Sequence, residues 1–402
     1  MLPTQAVMSA DLNALNSVIK SSLSQIQDWI EEKRDGRNWP IYHSLDLRIS
    51  NYKICHVDSN LFPGGFHNLS INGIQESIQN FKKILAQYQK ILIVIENFTR
   101  NYAYFNNVLQ LQSIISSATN AEIKLATIGD VANKFIKAEE GPTTFTHALQ
   151  RKSGKVFITD GASDWYPDFI LLNNDLTEAF PEELENIEQK ILPDPQHGWH
   201  SRKKSNHFKI YNELIEEASQ IIKIDPFLIS AEFDTVGGVN FRDKIGLKEL
   251  KGTADQIISR IKTTYADHNI TVSPYLFLKS NKGTLGMGIL EIQDTDTILT
   301  INKKYRHSMH AIKSGVLNDE ILIQEGIRTA KTLDGYPAET VIYSVNGEIV
   351  GEMIRYNDQK TIYQSLNSSG MKFSSGAEFN IEVPLGYIKW FINKVANLVC
   401  IL

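Results

Sequence analysis

The stretch YLFLKSNKGTLGMGILEIQ, residues 275–293, has the pattern of a β-hairpin with a flexible tip. Its first run, 275–279, and its last run, 289–293, alternate with the period of a β-strand. Residues 280–288 between them form the turn. We therefore predict two paired strands joined by a loop, with the rest of the chain as their framework.

The tip of this hairpin has the composition of a phosphate-binding loop. Gly283, Gly286 and Gly288 allow backbone N–H groups to turn onto an anion, while Lys279 and Lys282 add positive charge. The alternative is an ordinary basic, glycine-rich turn. The spacing is neither a Walker A loop nor a dinucleotide fingerprint, because no helix opens directly at the glycines.

The overall composition is that of a globular protein large enough for two or three domains or one composite domain. Of the 402 residues, 42% are hydrophobic and 22% are charged. The net charge of −5 and the pI near 6.1 argue against a general nucleic-acid-binding protein, which needs a basic surface.

The two cysteines, Cys55 and Cys400, cannot form a disulfide framework or a structural zinc site. The N-terminus shows no signal-peptide pattern, and apolar runs such as 91–95 are too short to cross a bilayer. We therefore expect a cytoplasmic protein with no membrane partner. We expect Cys55 to be a small core residue rather than a catalytic thiol.

Polar residues follow three of the predicted strands, at the point where each strand ends. These are Asp58 and Asn60 before the Pro63–Gly65 turn, residues 96–101 after the strand 91–95, and residues 173–175 after the strand 168–172. Helices predicted at 74–89 and 102–117 alternate with the strands, which is typical of a parallel sheet. Three such clusters indicate a polar ligand with amine and carboxylate groups at the sheet edge. The alternative for the first cluster is an Asp/Asn turn bonded to its own backbone.

Later segments add further charge and two more hairpin strands. Arg202, Lys203 and Lys204 precede a predicted helix 206–222, with Ser205 or Asn206 as its N-cap; the alternative is a solvated basic turn. An apolar strand, 321–327, contains Gln324-Glu325-Gly326. The runs 339–345 and 348–356 pair across Asn346-Gly347, a strong hairpin signal, and the second run contains Arg355. An apolar helix, 386–402, is predicted to be core or interface and is compatible with a homo-oligomer.

The order of these elements is similar to an ATP-grasp nucleotide site. It consists of a lysine before a helix, the lysine- and glycine-rich hairpin, the strand 321–327, a hairpin with Arg355, and an Asn loop at 365–367.

We predict an α/β (α+β composite) fold in four segments. These are an N-terminal helix at 1–40, a parallel α/β substrate domain at 41–197, a helical and hairpin lid at 198–293, and a C-terminal antiparallel α+β domain at 294–402.

The chain also resembles the type 3 glutamate–cysteine ligases of proteobacteria over about residues 10–375. The motifs that carry the resemblance are SLDLR (44–48), VDSNLFPGGFHNL (57–69), ENFTRN (96–101), LNNDL (172–176), GWHSRKKSNHF (198–208), IDPF (224–227), LKSNKGTLGMGI (278–289), IQEGI (323–327) and LNSSG (366–370). The resemblance implies ATP-dependent joining of the γ-carboxylate of glutamate to the amine of cysteine through an acyl phosphate, with magnesium. This reaction is the first step of glutathione synthesis.

The resemblance and the residue types together give an expected site. The nucleotide residues are Lys204, Lys279, Gly283, Thr284, Gly286, Met287, Gly288, Gln324, Glu325, Gly326 and Ile327. The substrate residues are Arg48, Asp58, Asn60, Asn68, Glu96, Asn97, Arg100, Asn101, Asn173, Asn174, Asp175 and Arg202. Lys279 and Arg355 are the catalytic residues, because phosphoryl transfer needs charge neutralisation. Arg48 and Arg100 are expected to bind carboxylates, since arginine offers a bidentate fork.

One position departs from the usual ATP-grasp pattern. Ser365 stands where an acidic magnesium ligand is expected, two residues before Asn367. We therefore expect Glu339 to join Asn367 as a metal ligand. The rival hypotheses are a ligase with other amino-acid substrates and a nucleotide-binding protein that has lost catalysis; the polar strand ends disfavour a pure interaction protein.

Overall fold

A computed structural model of the chain describes residues 4–97, 102–128, 134–137, 143–282, 288–301, 319–375 and 379–402. The helices within these ranges are α1 (Thr4–Ser21), α2 (Leu23–Arg34), α3 (Ile71–Leu85), α4 (Tyr102–Ala118), α5 (Lys204–Ile222), α6 (Leu247–Asp267) and α7 (Gly386–Val399). The first ten strands are β1 (Tyr42–Ile49), β2 (Ile54–Asn60), β3 (Lys90–Ile95), β4 (Glu122–Thr127), β5 (Lys134–Lys137), β6 (Thr143–Ala148), β7 (Gln150–Lys152), β8 (Lys155–Asp160), β9 (Ser163–Trp165) and β10 (Phe169–Asn173). The others are β11 (Lys190–Leu192), β12 (Phe233–Val236), β13 (Leu276–Ser280), β14 (Ile289–Ile292), β15 (Ile321–Glu325), β16 (Thr332–Leu333), β17 (Tyr336–Val345), β18 (Glu348–Tyr356) and β19 (Lys372–Ser375).

The N-terminal half contains a largely parallel sheet, in the order β11-β10-β3-β4-β6-β5. Only β5 runs antiparallel to its neighbour β6. Strands β3 and β10 are buried almost throughout, as expected when both faces of a parallel sheet are covered. The apolar runs at 91–95 and 168–172 were therefore correctly predicted as buried strands. Strands β7, β8 and β9 form a separate small sheet.

A second sheet is antiparallel and has the order β19-β18-β17-β1-β2, with β16 beside β17. The predicted Asn346-Gly347 hairpin is confirmed, and both residues have positive φ values of 54° and 74°. Such values match the right-handed twist of the flanking strands. Strands β1 and β2 belong to this sheet and not to the parallel one, although the sequence placed them with residues 41–197.

The third sheet contains the hairpin with which the sequence analysis began. Strands β13 and β14 pair antiparallel, with Lys279 opposite Ile289, as predicted. The sheet order is β12-β15-β13-β14, so the strand at 321–325 lies beside the hairpin. A boundary drawn at 293/294 therefore cuts through this sheet. Leu276 and Leu278 pack with α6 on one face, which leaves Phe277 and Lys279 on the other.

The terminal helix α7 is part of the core. It packs with α1, α2 and α5 against Leu45 and Leu47 of the antiparallel sheet. Its two lysines, Lys389 and Lys394, form ion pairs with Glu352 and Glu348 of β18. None of the helices within the described ranges is long and apolar enough to span a bilayer. The α/β composite class, with one largely parallel sheet beside antiparallel sheets, is as predicted.

Candidate active site

The candidate site lies where the third sheet meets one face of the antiparallel sheet. Asp46 pairs with Asp58 across β1 and β2, and Leu45 pairs with Ser59, so these pairs point to opposite faces. We call the side of Asp46 and Asp58 the front face and the side of Leu45 and Ser59 the back face. Because β2 is an edge strand, chain segments beside it can reach both faces.

Lys279 connects the hairpin to the front face. Its Nζ donates to the carbonyl oxygen of Val57 at 2.9 Å and to Oε1 of Gln324 at 2.6 Å. The lysine side chain is 7% exposed, and Gln324 is fully buried. Nε2 of Gln324 has no hydrogen-bond partner among the described residues. One ammonium group and one unpaired amide N–H donor therefore lie together, which suits an anionic group.

Lys204 reaches the same face from the start of α5. Its Nζ donates to Oδ1 of Asp58 at 2.8 Å and lies 4.2 Å from the ring centroid of Trp199. The N-cap position belongs to Lys203, not to Ser205 or Asn206 as predicted. Asn281 of the hairpin segment supplies the capping contacts instead, because its backbone and side-chain oxygens accept from the N–H groups of Lys204 and Ser205.

Two arginines and two acids form a buried cluster beside these lysines. Arg355 donates to Oδ2 of Asp46 at 2.5 Å and to Oε1 of Glu339 at 2.8 Å. Nε of Arg48 donates to Oε2 of Glu339 at 2.8 Å, and its other donors bond to backbone carbonyls that include that of Gln364. Arg48 is 3% exposed, so in this structure it holds Glu339 in place. Nε of Arg355 is buried without a partner in the described structure.

Burial and charge shift the pKa values of the site in opposite directions. Burial lowers the pKa of Lys279 to about 8, although nearby Asp58 favours its charged form. Burial alone would raise the pKa of Asp58, but Lys204 and Lys279 outweigh it and lower that pKa. Likewise, burial opposes ionisation of Glu339, while Arg48 and Arg355 hold its pKa below the usual value. The site therefore keeps Asp58 and Glu339 ionised, whereas Lys279 loses its charge as the pH rises through about 8.

The segment 324–327, predicted to bind the nucleotide, lies at the end of β15. The backbone N–H groups of Glu325 and Gly326 donate to the carbonyls of Glu232 and Tyr275. The Glu325 carboxylate binds Nζ of Lys53, and both side chains are 1% exposed. These groups are thus bonded within the protein in this structure. The nucleotide-binding role of residues 324–327 stays a prediction.

The polar residues after β3 and β10 lie together, as expected for neighbouring parallel strands. Glu96 accepts from the N–H of Asp175 at 2.7 Å, and Asn174 donates to the carbonyl of Ile95. Asn173 is 2% exposed and donates to Pro63, in the turn after β2. The first cluster, Asp58 and Asn60 before the Pro63–Gly65 turn, is therefore adjacent, although β2 lies in another sheet.

The other predicted substrate residues differ in their surroundings. Asn60 accepts from the N–H of Phe62, which is the self-bonded turn weighed as the alternative. Asn68 is partly buried and Asn97 is exposed. Arg202 points to the back face, where it bonds Ser59. The predicted residues Arg100, Asn101, Gly283, Thr284, Gly286 and Met287 lie outside the described residues, whereas Gly288 accepts through its carbonyl from Ser280 N–H.

The predicted metal ligands are hard oxygen donors. Each oxygen of Glu339 accepts one arginine hydrogen bond, and a carboxylate has about four lone-pair sites, so acceptor capacity remains. The described residues include no cluster of three His, Cys, Asp or Glu side chains that could hold a metal. Mg²⁺ commonly uses one or two carboxylates together with substrate phosphates, so the donor set fits such a shared site.

Sequence reasoning gave no role to three residues of this region. Asp46 shares Arg355 with Glu339, Trp199 lies under Lys204, and Asn281 caps α5. Asp46 alternates with buried Leu45 and Leu47, which was a usable signal, because an acid on a half-buried strand needs a partner. Nothing local marks Asn281, since its partner lies 76 residues away.

The sequence profile of the glutamate-cysteine ligase family matches residues 16–383. The chain belongs to the glutamate-cysteine ligase family. The chain is therefore an ATP-dependent ligase, and the matched range contains Lys204, Lys279, Glu339 and Arg355.

One solved structure is similar to the ligase over nearly its whole length. A protein from Methylobacillus flagellatus KT, provisionally named a gamma-glutamylcysteine synthetase, aligns with a TM-score of 0.87 and 29% identity. The alignment covers 100% of this chain and 97% of the other. No functionally curated protein matches the ligase in sequence.

Two other structures are more remote. D-alanyl-alanine synthetase A from Vibrio cholerae aligns over 77% of the ligase and 81% of its own chain, with 12% identity and a TM-score of 0.39. A glutathione synthetase-like effector from Globodera pallida aligns over 93% and 87%, with 10% identity and a TM-score of 0.42. These two likenesses are too weak to bear on function.

Proposed function

We propose that the ligase joins the γ-carboxylate of glutamate to the amine of cysteine, using ATP and forming γ-glutamyl phosphate on the way. The observation that carries this proposal is the convergence of Lys204, Lys279 and Arg355 on one face of the antiparallel sheet. Phosphoryl transfer asks a protein mainly for positioning and charge neutralisation, which three fixed cations supply.

Lys279 and Gln324 are proposed to bind the ATP phosphates. The unpaired amide N–H of Gln324 and the Lys279 ammonium lie within one hydrogen-bonded unit, held at 2.6 Å. Their rigidity matters because donors fixed beforehand need no reorganisation as charge moves in the transition state. Residues 280–288 are proposed to close over the phosphates, which would keep water from the acyl phosphate.

Arg355 is proposed to stabilise the phosphoryl group during its transfer. In this structure Asp46 and Glu339 both accept from its Nη1, while Nε lacks a partner in the described part of the chain. A guanidinium has five donors, so it can keep an orienting acid and still bind an oxyanion. Asp46 then acts as the residue that sets the direction of Arg355.

The amino-acid substrates are proposed to bind near the ends of β3 and β10. Glu96 and Asp175 would attract substrate amines, together with Asp58 on the front face. Arg48 and Arg100 would bind the carboxylates, because arginine offers a bidentate fork. The activated γ-carboxyl carbon would then be attacked by the cysteine amine, and phosphate would leave.

Glu339 and Asn367 are proposed to hold Mg²⁺ with the phosphates. When bound, this ion would neutralise charge on the transferred group. Glu339 would then exchange part of its contact with Arg48 or Arg355 for a contact with the ion.

We further propose that the enzyme acts in the cytoplasm. Because α7 is buried in the core, any homo-oligomer would form through other surfaces.

Oxygen transfer tests the proposed intermediate directly. Glutamate carrying ¹⁸O in its γ-carboxylate is incubated with ATP, magnesium and cysteine, and the released phosphate is analysed by mass spectrometry. The expected result is one ¹⁸O in each phosphate formed. Dipeptide formation with unlabelled phosphate would contradict the acyl phosphate, although the ligase assignment would stand.

Substrate replacement tests the amino-acid pair. The rates with cysteine, serine, alanine and glycine as the amine, and with glutamate or aspartate as the acid, are compared by kcat/KM. We expect glutamate with cysteine to be preferred over every other pair. A higher kcat/KM for another pair would assign the same chemistry to different substrates.

A further inference from the structure

A cavity of about 290 Å³ lies on the back face of β2, away from the proposed reaction. It is enclosed by the start of α5, the preceding turn and the C-terminal end of α7. The residues that the argument uses are Arg202, Lys203, His207, Ile210, Val399 and Cys400. The described residues that line it include no aspartate or glutamate.

The cavity is separated from the front face by the edge strand itself. Asp58 and Ser59 are adjacent in β2 and point to opposite faces. Lys204 crosses the strand edge to bind Asp58, while Arg202, two residues earlier, binds Ser59 on the back. A molecule held by Arg202 would therefore lie behind the sheet that carries Asp46, Asp58 and Arg355.

Arg202 is the first group of this cavity that suits an anion. Its Nη2 donates to Oγ of Ser59 at 3.1 Å, and that oxygen also lies 2.8 Å from Nε2 of His43. Its Nη1 is buried and has no partner in the described structure. A buried guanidinium N–H without an acceptor is costly, and a bound carboxylate would satisfy it. Lys203 is less available, since its Nζ is 2.9 Å from Glu320.

His207 provides the second group, and its tautomer follows from its neighbour. Nε2 of His207 lies 3.1 Å from Nε2 of His56, so one of them donates and the other accepts. Nδ1 of His56 is buried without a partner among the described residues. A proton there would be an unsatisfied buried donor, so His56 carries its proton on Nε2 and donates to His207.

The consequence is that His207 carries its own proton on Nδ1. The ring is 6% exposed, lines the cavity, and bonds only through Nε2 in the hydrogen bonds of the described chain. Burial lowers the pKa of His207 well below its ordinary value, so the ring is a neutral N–H donor at pH 7. The cavity is thus lined by an arginine fork and an imidazole donor above apolar Leu61, Ile210 and Val399.

We propose that this back-face cavity is a second binding site, for a small carboxylate with a short carbon chain. The carboxylate would bind Arg202 and Nδ1–H of His207, and the chain would lie on the apolar wall. This role differs from the substrate role that the sequence suggested for Arg202. The proposal does not depend on the proposed reaction, because none of its evidence comes from the front face.

Cys400 allows the proposal to be tested without measuring activity. Its side chain lines the cavity and is partly exposed, whereas Cys55, the other cysteine, is 1% exposed. Alkylation of Cys400 by iodoacetamide is followed by mass spectrometry on the full chain, with succinate as the probe and sodium chloride at equal ionic strength as the control. At succinate tenfold above its dissociation constant, labelling should slow by roughly tenfold, because only the free state reacts.

Two variants make the test specific. Arg202→Gln should lose the protection by succinate, and Ile210→Trp should slow labelling with or without succinate by filling the cavity. Thermal unfolding of both variants confirms that they fold, and either one alone can decide the result. The proposal is overturned if succinate gives no protection, if chloride or inorganic phosphate protects equally, or if protection survives in a folded variant.

Discussion

The ammonium nitrogen of Lys279 lies 2.6 Å from Oε1 of Gln324, and both side chains are buried between the hairpin sheet and the antiparallel sheet. The contact directs the lysine toward the front face and leaves the amide nitrogen of Gln324 unpaired in the described structure. Lys279 and Gln324 therefore act as one unit. Substitution of either residue should change the KM for ATP more than the KM values for the amino acids.

Replacing Lys279 by methionine should remove most of the activity. A hydrogen bond to a charged group contributes about 1.5–3 kcal/mol, and 1.4 kcal/mol is tenfold, so kcat/KM for ATP should fall by roughly 10- to 150-fold. Steady-state kinetics measure the change. Lys282→Met on the same hairpin is the matched control, and an equal loss in both variants would assign the effect to the general charge of the tip.

Gln324→Glu should weaken ATP binding while the fold stays intact. A carboxylate at this position forms an ion pair with Lys279 and repels the phosphates, so the KM for ATP should rise by about tenfold or more, since 1.4 kcal/mol of lost binding is tenfold. The melting temperature should stay near that of the parent protein. An unchanged KM for ATP would show that residue 324 does not face the phosphates.

The pKa of Lys279 predicts how ATP binding depends on pH. Burial lowers this pKa to about 8 from 10.5, so the free enzyme loses the charge as pH rises through 8. The affinity for ATP should therefore fall above pH 8, and Lys279→Arg should flatten this part of the profile, because arginine stays charged. Keeping Lys279 charged in its buried site lowers the free energy of unfolding below pH 8. The free energy of unfolding should therefore rise between pH 8 and pH 10.5, where the folded protein has lost this proton and the unfolded chain still holds it. Equal slopes of ATP affinity against pH for the parent and Lys279→Arg would contradict the assignment.

Glu339→Gln should raise the magnesium concentration needed for half-maximal activity. The amide keeps one oxygen for Arg48 or Arg355 but lacks the negative charge that Mg²⁺ prefers. Glu352→Gln is the control, because Glu352 is a buried acid of the same sheet that pairs with Lys389 on the other face. The magnesium dependence of the control should match that of the parent, and a parent-like dependence for Glu339→Gln would remove Glu339 from the metal site.

Cys55→Ala should leave the reaction almost unchanged. Cys55 is 1% exposed, its thiol donates to the carbonyl of Ser230, and burial raises its pKa to about 12, so it is a core residue as predicted. We expect kcat within about twofold and a loss of roughly 1–2 kcal/mol in the free energy of unfolding, typical of a small cavity. Urea denaturation and steady-state kinetics measure the two quantities, and abolished turnover in a folded variant would contradict the core assignment.

Local patterns in the sequence predicted the strands, helices and turns well. Alternation found β13 and β14, and Asn346-Gly347 found the β17–β18 hairpin, because both signals depend on neighbouring residues. The sheet that contains β1 was not predicted, since its partner β17 lies almost 300 residues away and antiparallel pairing leaves no local mark.

The charged residues of the candidate site were named from the sequence, whereas most of their partners were not. Lys204, Lys279 and Arg355 were named from their order along the chain, and their roles stay predictions. The contact of Arg48 with Glu339 and the position of Arg202 behind β2 depend on which face of a strand each partner occupies. The pairing of β1 with β2 shifts between Asp46 and Leu47, so that His56 rather than Val57 lies opposite Leu47, and sequence alternation alone does not show this shift.

ADP release is the measurement that tests the central claim most directly. The purified enzyme is incubated with ATP, magnesium, glutamate and cysteine, and each component is omitted in turn. We predict release that requires both amino acids and is at least tenfold slower in the Lys279→Met variant. Release that is independent of the amino acids, or that persists at the parent rate in Lys279→Met, would contradict ATP-dependent ligation at this site.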